Sequence, residues 1–303
     1  LVVYFLPTDE QRELQRGVRE VLESAFPLEK LPGGFDPGLW NTLEETGVFS
    51  LRTDLELGMV EASMVFEELG RAAVPGPLVG TFLTAGATEG PVTVLDPRHS
   101  PLVIANLPVA KSVLVLDPDG PVLASPPSGT ELPEPMDPLT PLHELAVTPS
   151  GARYDAADFT KLWQEGAVLT AALQVGLAAR MTELAVTYAK TREQFERPIG
   201  SFQAVKHLCA DMLVRTELAR ASLHSAAVML DDPGVGDTAR AVAGAKQLAD
   251  EAACGNARSC VQVHGGMGFT WEVPVHFLLK RAWLQAMDFG TADEHAEDLA
   301  QLL

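Results

Sequence analysis

Proline placement constrains this 303-residue chain more than any other feature: 12 of its 22 prolines lie between Pro91 and Pro141. A proline inside a helix removes a hydrogen bond and clashes with the preceding turn, so no long helix crosses this stretch. Between the prolines stand short apolar runs at Val92–Leu95, Leu102–Ala105, Ser112–Leu116, Pro121–Ala124 and Glu144–Thr148. Pro118-Asp119-Gly120 supplies a turn. The pattern predicts a small antiparallel sheet or barrel with proline-blunted edges over 91–160, with a loop from Ser125 to Pro141.

Both flanks read as helical. Thr8-Asp9-Glu10-Gln11 is an N-cap followed by first-turn acids, and Leu14, Val18, Val21 and Leu22 then recur at helical spacing. A second helix runs over Met59–Leu69, with Gly70 expected as its C-cap and Pro75-Gly76-Pro77 as a breaker. From about Lys161 the period is again 3.6, and Leu173, Leu177, Met181, Leu184 and Tyr188 share one face of a long helix. Arg197-Pro198-Ile199-Gly200 ends it, and Ser201 is expected to cap a helix reaching about Leu230. Asp237 caps a third, Ala-rich helix to about Val263; Gly265-Gly266-Met267-Gly268 breaks it; a fourth spans about Val273–Met287. Four long helices with short loops make an antiparallel bundle. The chain is therefore expected to be mainly α with a small β domain. Its parts are an N-terminal helical domain (1–90), a reduced β-barrel or sheet domain (91–160) and a C-terminal four-helix bundle (161–303).

Charge narrows function by exclusion. With 41 acidic against 22 basic residues, the net charge is −19. Phosphate neutralisation needs clustered Lys and Arg, so nucleic acid is not an expected partner, and the same charge opposes docking on anionic lipid. The 47% hydrophobic content is too high for a disordered chain. Cys209, Cys254 and Cys260 match no zinc spacing; no metal site is expected, and a reduced, cytoplasmic setting is the simplest reading. Leu1–Pro7 lacks the basic start of a signal peptide, and Ala167–Ala179, broken by Gln174, is too short to span a bilayer.

Two segments carry candidate chemistry. Tyr188 to Gln203 reads YAKTREQFERPIGSFQ and places two arginines, Phe195 and glutamines around a tight turn. Arg192 near a helix C-terminus suits the helix dipole; a planar cation beside an aromatic ring also suits an anionic, planar ligand. Gln262 to Thr270 reads QVHGGMGFT. Its glycines allow a close backbone approach with free N–H groups for phosphate oxygens, or serve simply as a helix stop. His264 is either a base or a structural side chain.

Together, YAKTREQFERPIGSFQAVKH and QVHGGMGFTWEVPVHFLLKRA closely resemble the acyl-CoA dehydrogenase family, as do TDEQRELQRGVREVLES and FEELGRAAVPGPL nearer the N-terminus. The resemblance covers most of the chain outside 91–160. It implies an FAD enzyme that oxidises an acyl-CoA at Cα–Cβ and passes electrons to an electron-transfer flavoprotein. It also implies that the bundle of one subunit meets the nucleotide end of its neighbour's FAD. Carried over residue by residue, Arg192, Gln194, Phe195, Phe202 and Gln203 match the FAD contacts of the first motif. Gln262, His264, Gly265 and Gly266 match the pyrophosphate segment of the second.

Departures from the family are equally informative. The usual base lies in a Tyr-Glu-Gly-Thr motif, which here is Asp288-Phe289-Gly290-Thr291; Phe289 takes the carboxylate position and Thr291 is retained as a cofactor contact. The alternative base position, early in the first bundle helix, falls on Gly166. Glu165 and Asp288 each stand one residue away. On a helix one residue is a rotation of about 100°, so Glu165 is expected to point elsewhere; Asp288 is also a methylene shorter. No flavin-cradling TEP-x-x-GSD stretch occurs between Pro91 and Thr160. The pattern resembles one short subunit of the α2β2 steroid-CoA dehydrogenases of actinobacteria. A second acyl-CoA dehydrogenase-like subunit would then share the FAD and supply the base. The alternatives are a self-sufficient dehydrogenase using Glu165 or Asp288, and a non-redox binding protein or flavin-independent acyl-thioester protein on the same fold.

Overall fold

A computed structural model of the chain describes residues 5–302; the first four residues of the Leu1–Pro7 stretch lie outside them. The chain divides into two compact units, each assembled from separate segments. One comprises Leu1–Pro32, Met59–Val74 and Ala167–Leu303, the other Gly33–Gly58 and Pro75–Gly166.

The first unit is helical. Helix α1 (Asp9–Ala25) opens on the expected capping box, with Thr8 and Gln11 satisfying each other's backbone N–H. Helices α2 (Pro37–Glu45) and α3 (Met59–Arg71) follow; α2 belongs to the other unit and was not read from the sequence. The N-terminus of α3 is capped from far away, by Asp231, whose two carboxylate oxygens accept from Met59 N (2.7 Å) and Val60 N (3.0 Å). Gly70 is not a C-cap. It lies inside α3, where an added Cβ would strike the Leu173 backbone, and Gly176 meets the Glu67 backbone in the same way. Two helices here cross with backbone against backbone, which only glycine permits.

The second helix of that crossing is α5, reached after helix α4 (Leu78–Leu83) and the strands; it runs over Phe159–Thr191, and its middle turns are buried all round. Helices α6 (Gln203–Asp231), α7 (Thr238–His264) and α8 (Val275–Gln285) complete the bundle, and α9 (Ala292–Gln301), unexpected from the sequence, packs on α7. Asp237 caps α7 as expected, accepting from Arg240 N. Ser201 does not cap α6: it sits in a 3-10 turn, Ile199–Ser201, and the position before α6 is Phe202, which offers no side-chain acceptor. Asn256 ties three helices. Its amide nitrogen lies within 3.2 Å of Ala178 O, Thr182 Oγ1, Met212 O and Thr216 Oγ1, and its oxygen accepts from Arg215 Nε at 2.9 Å. Buried acids on α3 meet arginines from other helices: Glu68 with Arg19, Glu67 with Arg220.

The second unit holds the strands. These are β1 (Val92–Leu95), β2 (Leu102–Ala105), β3 (Ser112–Val115), β4 (Val122–Ala124), β5 (Thr130–Glu131), β6 (Leu142–Leu145) and β7 (Ala152–Arg153). They form two sheets, ordered β1-β3-β4-β7 and β2-β6-β5, and no closed barrel. The expected antiparallel character fails at one place: β1 and β3 pair in parallel, Val92 opposite Ser112. The physical reason is that β2 leaves for the other sheet, so the chain re-enters beside β1 in the same direction. Leu95, Ile104, Leu107, Val113, Val115 and Leu145 form the core of this unit. Phe35, Trp40 and Phe49 pack as an aromatic trio around α2.

Candidate active site

The segment after α5 is a two-residue hairpin. Strands β8 (Glu193–Gln194) and β9 (Arg197–Pro198) pair, with Gln194 opposite Arg197. Its central residues, Phe195 and Glu196, have φ of 54° and 61°. A hairpin of this type favours Asn-Gly; placing side-chain-bearing residues there costs about 1–2 kcal/mol each. Strain of this kind collects where a side chain must be presented rather than packed. The Phe195 ring is 85% exposed, and Arg192, Gln194 and Gln203 are exposed beside it. Phe195 meets the edge of Phe202 (6.0 Å between centroids), and the Arg197 guanidinium lies 4.1 Å over the same ring.

The glycine segment ends α7. Gly265 has φ 61° and caps the helix, and neither Gly265 nor Gly266 has an atom within 4 Å of where a Cβ would stand. Gln262 is exposed. His264 is buried, and its Nδ1 is 2.8 Å from Cys260 O. Burial lowers its pKa, with the Cys260 carbonyl acting the other way, so the neutral ring donating from Nδ1 fits the geometry. The ring stacks on Tyr188 at 4.2 Å. Since Tyr188 lies one turn before Arg192, this stack joins the root of the hairpin to the glycine turn. Cys260 beneath it is pushed up to about 12 by burial and is no nucleophile.

Two motifs some 60 residues apart in the chain thus meet through the Tyr188–His264 stack within one helical unit. The acyl-CoA dehydrogenase C-terminal domain pattern matches residues 159–303. The acyl-CoA dehydrogenase IpdE2 of Mycolicibacterium smegmatis is 33% identical over 96% of this chain and 93% of its own length. The chain belongs to the acyl-CoA dehydrogenase family. Two solved structures share its fold. One is a chain of the ChsE4-ChsE5 complex from Mycobacterium tuberculosis (TM-score 0.79, 23% identity, 99% and 98% of the two chains covered). The other is the Tcur3481-Tcur3483 steroid ACAD G363A variant (TM-score 0.82, 24% identity, 97% of each covered).

The carboxylates next to the positions expected for a base, Glu165 and Asp288, stand differently. Glu165, beside Gly166, is 3% exposed and sits in the other unit. Its Oε2 accepts from Arg52 Nη1 and its Oε1 faces Arg52 Nη2, both at 3.0 Å, with Lys161 at 3.9 Å. Both oxygens are engaged by one guanidinium. Phe289 is 8% exposed, with φ 54°. Asp288 is reached by water, although dense neighbouring atoms push its carboxyl up to about 6 by desolvation, against Lys246 and Arg281. Thr291 stands at this same turn, remote in sequence from the hairpin, as the N-cap of α9 in a capping box with Glu294.

Sequence reasoning passed over Lys246, Asp250 and Arg52. Lys246 has no exposed surface; its Nζ lies 2.5 Å from Asp250 Oδ2 and donates to Gly290 O at 2.8 Å. Burial pushes the Asp250 carboxyl up to about 6, against the pull of Lys246 and Gln174. The one visible signal was a Lys–Asp pair four residues apart in an Ala-rich run. Arg52 and Glu165 are 113 residues apart, which no local pattern connects.

Proposed function

We propose that this chain is the FAD-contacting, base-lacking subunit of a heteromeric acyl-CoA dehydrogenase that desaturates a steroid side-chain CoA thioester. The observation that carries the reading is the arrangement of carboxylates: Phe289 and Gly166 fill the base positions, and Arg52 occupies both oxygens of Glu165. The nucleotide end is different in kind. An exposed cation (Arg192), an exposed ring (Phe195) and two unobstructed glycines (Gly265, Gly266) fit a pyrophosphate and a planar base. In a chain of net charge −19, Arg192 and backbone N–H groups are the means of holding that diphosphate. FAD, when bound, is the acceptor for the hydride leaving the acyl β-carbon. Here Arg192, Gln194, Phe195, Phe202, Gln203, Gln262, His264, Gly265, Gly266 and Thr291 would hold it, with a partner subunit supplying the flavin-ring cradle and the base. IpdE2, the ChsE4-ChsE5 complex and the steroid ACAD support the choice of reaction, heteromer and substrate class. An α2β2 assembly in the cytoplasm, reoxidised by an electron-transfer flavoprotein, completes the reading.

The chain expressed alone is expected to be colourless and to yield a yellow complex when co-expressed with a second short acyl-CoA dehydrogenase-like subunit. A complex that forms but stays flavin-free and inactive overturns the proposal. Within the complex, Arg192→Ala should weaken FAD retention by roughly 1.5–3 kcal/mol, the value of a charge-assisted contact, read by flavin fluorescence on dilution. A second reading, Asp288 as a shifted base, draws on its water-accessible carboxyl and raised pKa. Stoichiometric FAD in the lone chain, with turnover lost in Asp288→Asn, would establish it instead.

A further inference from the structure

Lys246 is neither a nucleotide contact nor a candidate base, yet it is a lysine with no exposed surface. Removing such a group from water is costly, and an apolar residue of similar volume fills space without that cost. Its surroundings give it a purpose. The Nζ meets Asp250 Oδ2 at 2.5 Å and donates to Gly290 O at 2.8 Å. Asp250 Oδ1 accepts from Gln174 Nε2 (3.2 Å), which also donates to Ala282 O (2.9 Å). One polar cluster therefore links α5, α7, α8 and the turn between α8 and α9.

That turn is strained, with Phe289 at φ 54° and Gly290 at φ 91°. Two successive carbonyls are held by buried side chains from different helices: Gly290 O by Lys246 of α7, and Phe289 O by His295 of α9, whose Nε2 lies at 2.9 Å. The His295 ring also closes the space above Gly290, 2.8 Å from where a Cβ would stand. We infer that Lys246 is a positioning residue: with Asp250 balancing its charge, it fixes the Gly290 carbonyl, keeping Asp288 at the water-facing side of the turn and Phe289 in the core. The inference concerns the family's base-bearing turn and rests on the functional reading only for that label.

The test compares the full chain with Lys246→Met/Asp250→Asn, because Lys246→Met alone leaves the Asp250 carboxylate stranded. Hydrogen exchange over residues 287–292 is expected to quicken at least about tenfold in the double variant, while α6 amides stay within about twofold. Unchanged exchange at the turn, or equal acceleration throughout the bundle, overturns the assignment. A second readout follows the Asp288 carboxyl by NMR. Its neighbours are Lys246 and Asp250 of α7 and Arg281 of α8, with His295 of α9 beside the same Lys246. In the folded fraction of Lys246→Met its titration midpoint rises, since a nearby positive charge has gone; an unmoved midpoint also overturns it. Neither measurement needs flavin or acyl-CoA, so either can fail while the dehydrogenase reading stands, and the reverse.

Discussion

Two turns of the helical unit each put a phenylalanine in the left-handed region. At 193–198 the ring of Phe195 is 85% exposed; at 288–291 the ring of Phe289 is 8% exposed. The second turn is stabilised from within, by Lys246 and His295 on its carbonyls and by a capping box that begins at Thr291. The first has its own short ladder, the Ile199 N–H on the Arg192 carbonyl, the Gln194 amide on the Glu193 carbonyl and the contacts of Arg197 and Phe195 with Phe202; among the described residues no side chain donates to the Phe195 or Glu196 carbonyl. Strain offset by internal partners belongs to the fold. Strain offset by little inside the chain makes sense when a ligand or partner completes the balance.

The largest test of that contrast is Lys246→Met. Stranding the Asp250 carboxylate should cost about 3–5 kcal/mol by denaturant unfolding, as broken buried pairs do; a loss below about 1 kcal/mol would mean the second turn is not internally held. Gly290→Ala comes next, expected to lose about 1–3 kcal/mol, since it must keep a positive φ while meeting the His295 ring. At the other turn the sign should reverse. Phe195→Asn with Glu196→Gly is expected to stabilise the lone chain by about 1–2 kcal/mol while weakening flavin retention in the complex. Stabilisation with flavin binding intact would break the link between this strain and function.

The smallest effect concerns pH. Asp288 has a folded pKa raised from 3.8 to about 6, so the folded state favours its neutral form. Its contribution to stability is full below pH 4 and is lost as pH rises through about 6. Asp288→Asn should therefore match the parent at pH 4 and exceed it at pH 8. The gain is of order 1 kcal/mol or less, because a water-accessible carboxylate is partly screened. Equal curves at both pH values would remove Asp288 from the account.

How much of this was legible depended on whether cause and effect were neighbours in the chain. Thr8 and Asp237 were readable as caps because the residues they bind follow within one turn. Val92–Leu95 and Leu102–Ala105 were readable because prolines bracket them, but their distribution between two sheets depends on pairing that no strand carries in itself. Gly70 was misread since a glycine ending an apolar run looks like a stop; the reason for it lies on α5. The same holds at the site. The residue types of 188–203 and 262–270 were legible, and so was the Asp288-Phe289-Gly290-Thr291 turn as a sequence. The Tyr188–His264 stack and the Arg52–Glu165 pair were not, because each joins distant positions.

The glycine crossing of α3 and α5 has a consequence for how this fold can drift. An ordinary core position fails when it becomes smaller, by leaving a void, and neighbours can shift to fill it. Gly70 and Gly176 are already at the lower limit of size, so they can change only by addition, and what an addition meets is main chain that has no rotamer to change. Substitutions elsewhere in the bundle can therefore accumulate and be repacked, while this crossing sets a fixed distance around which the repacking takes place.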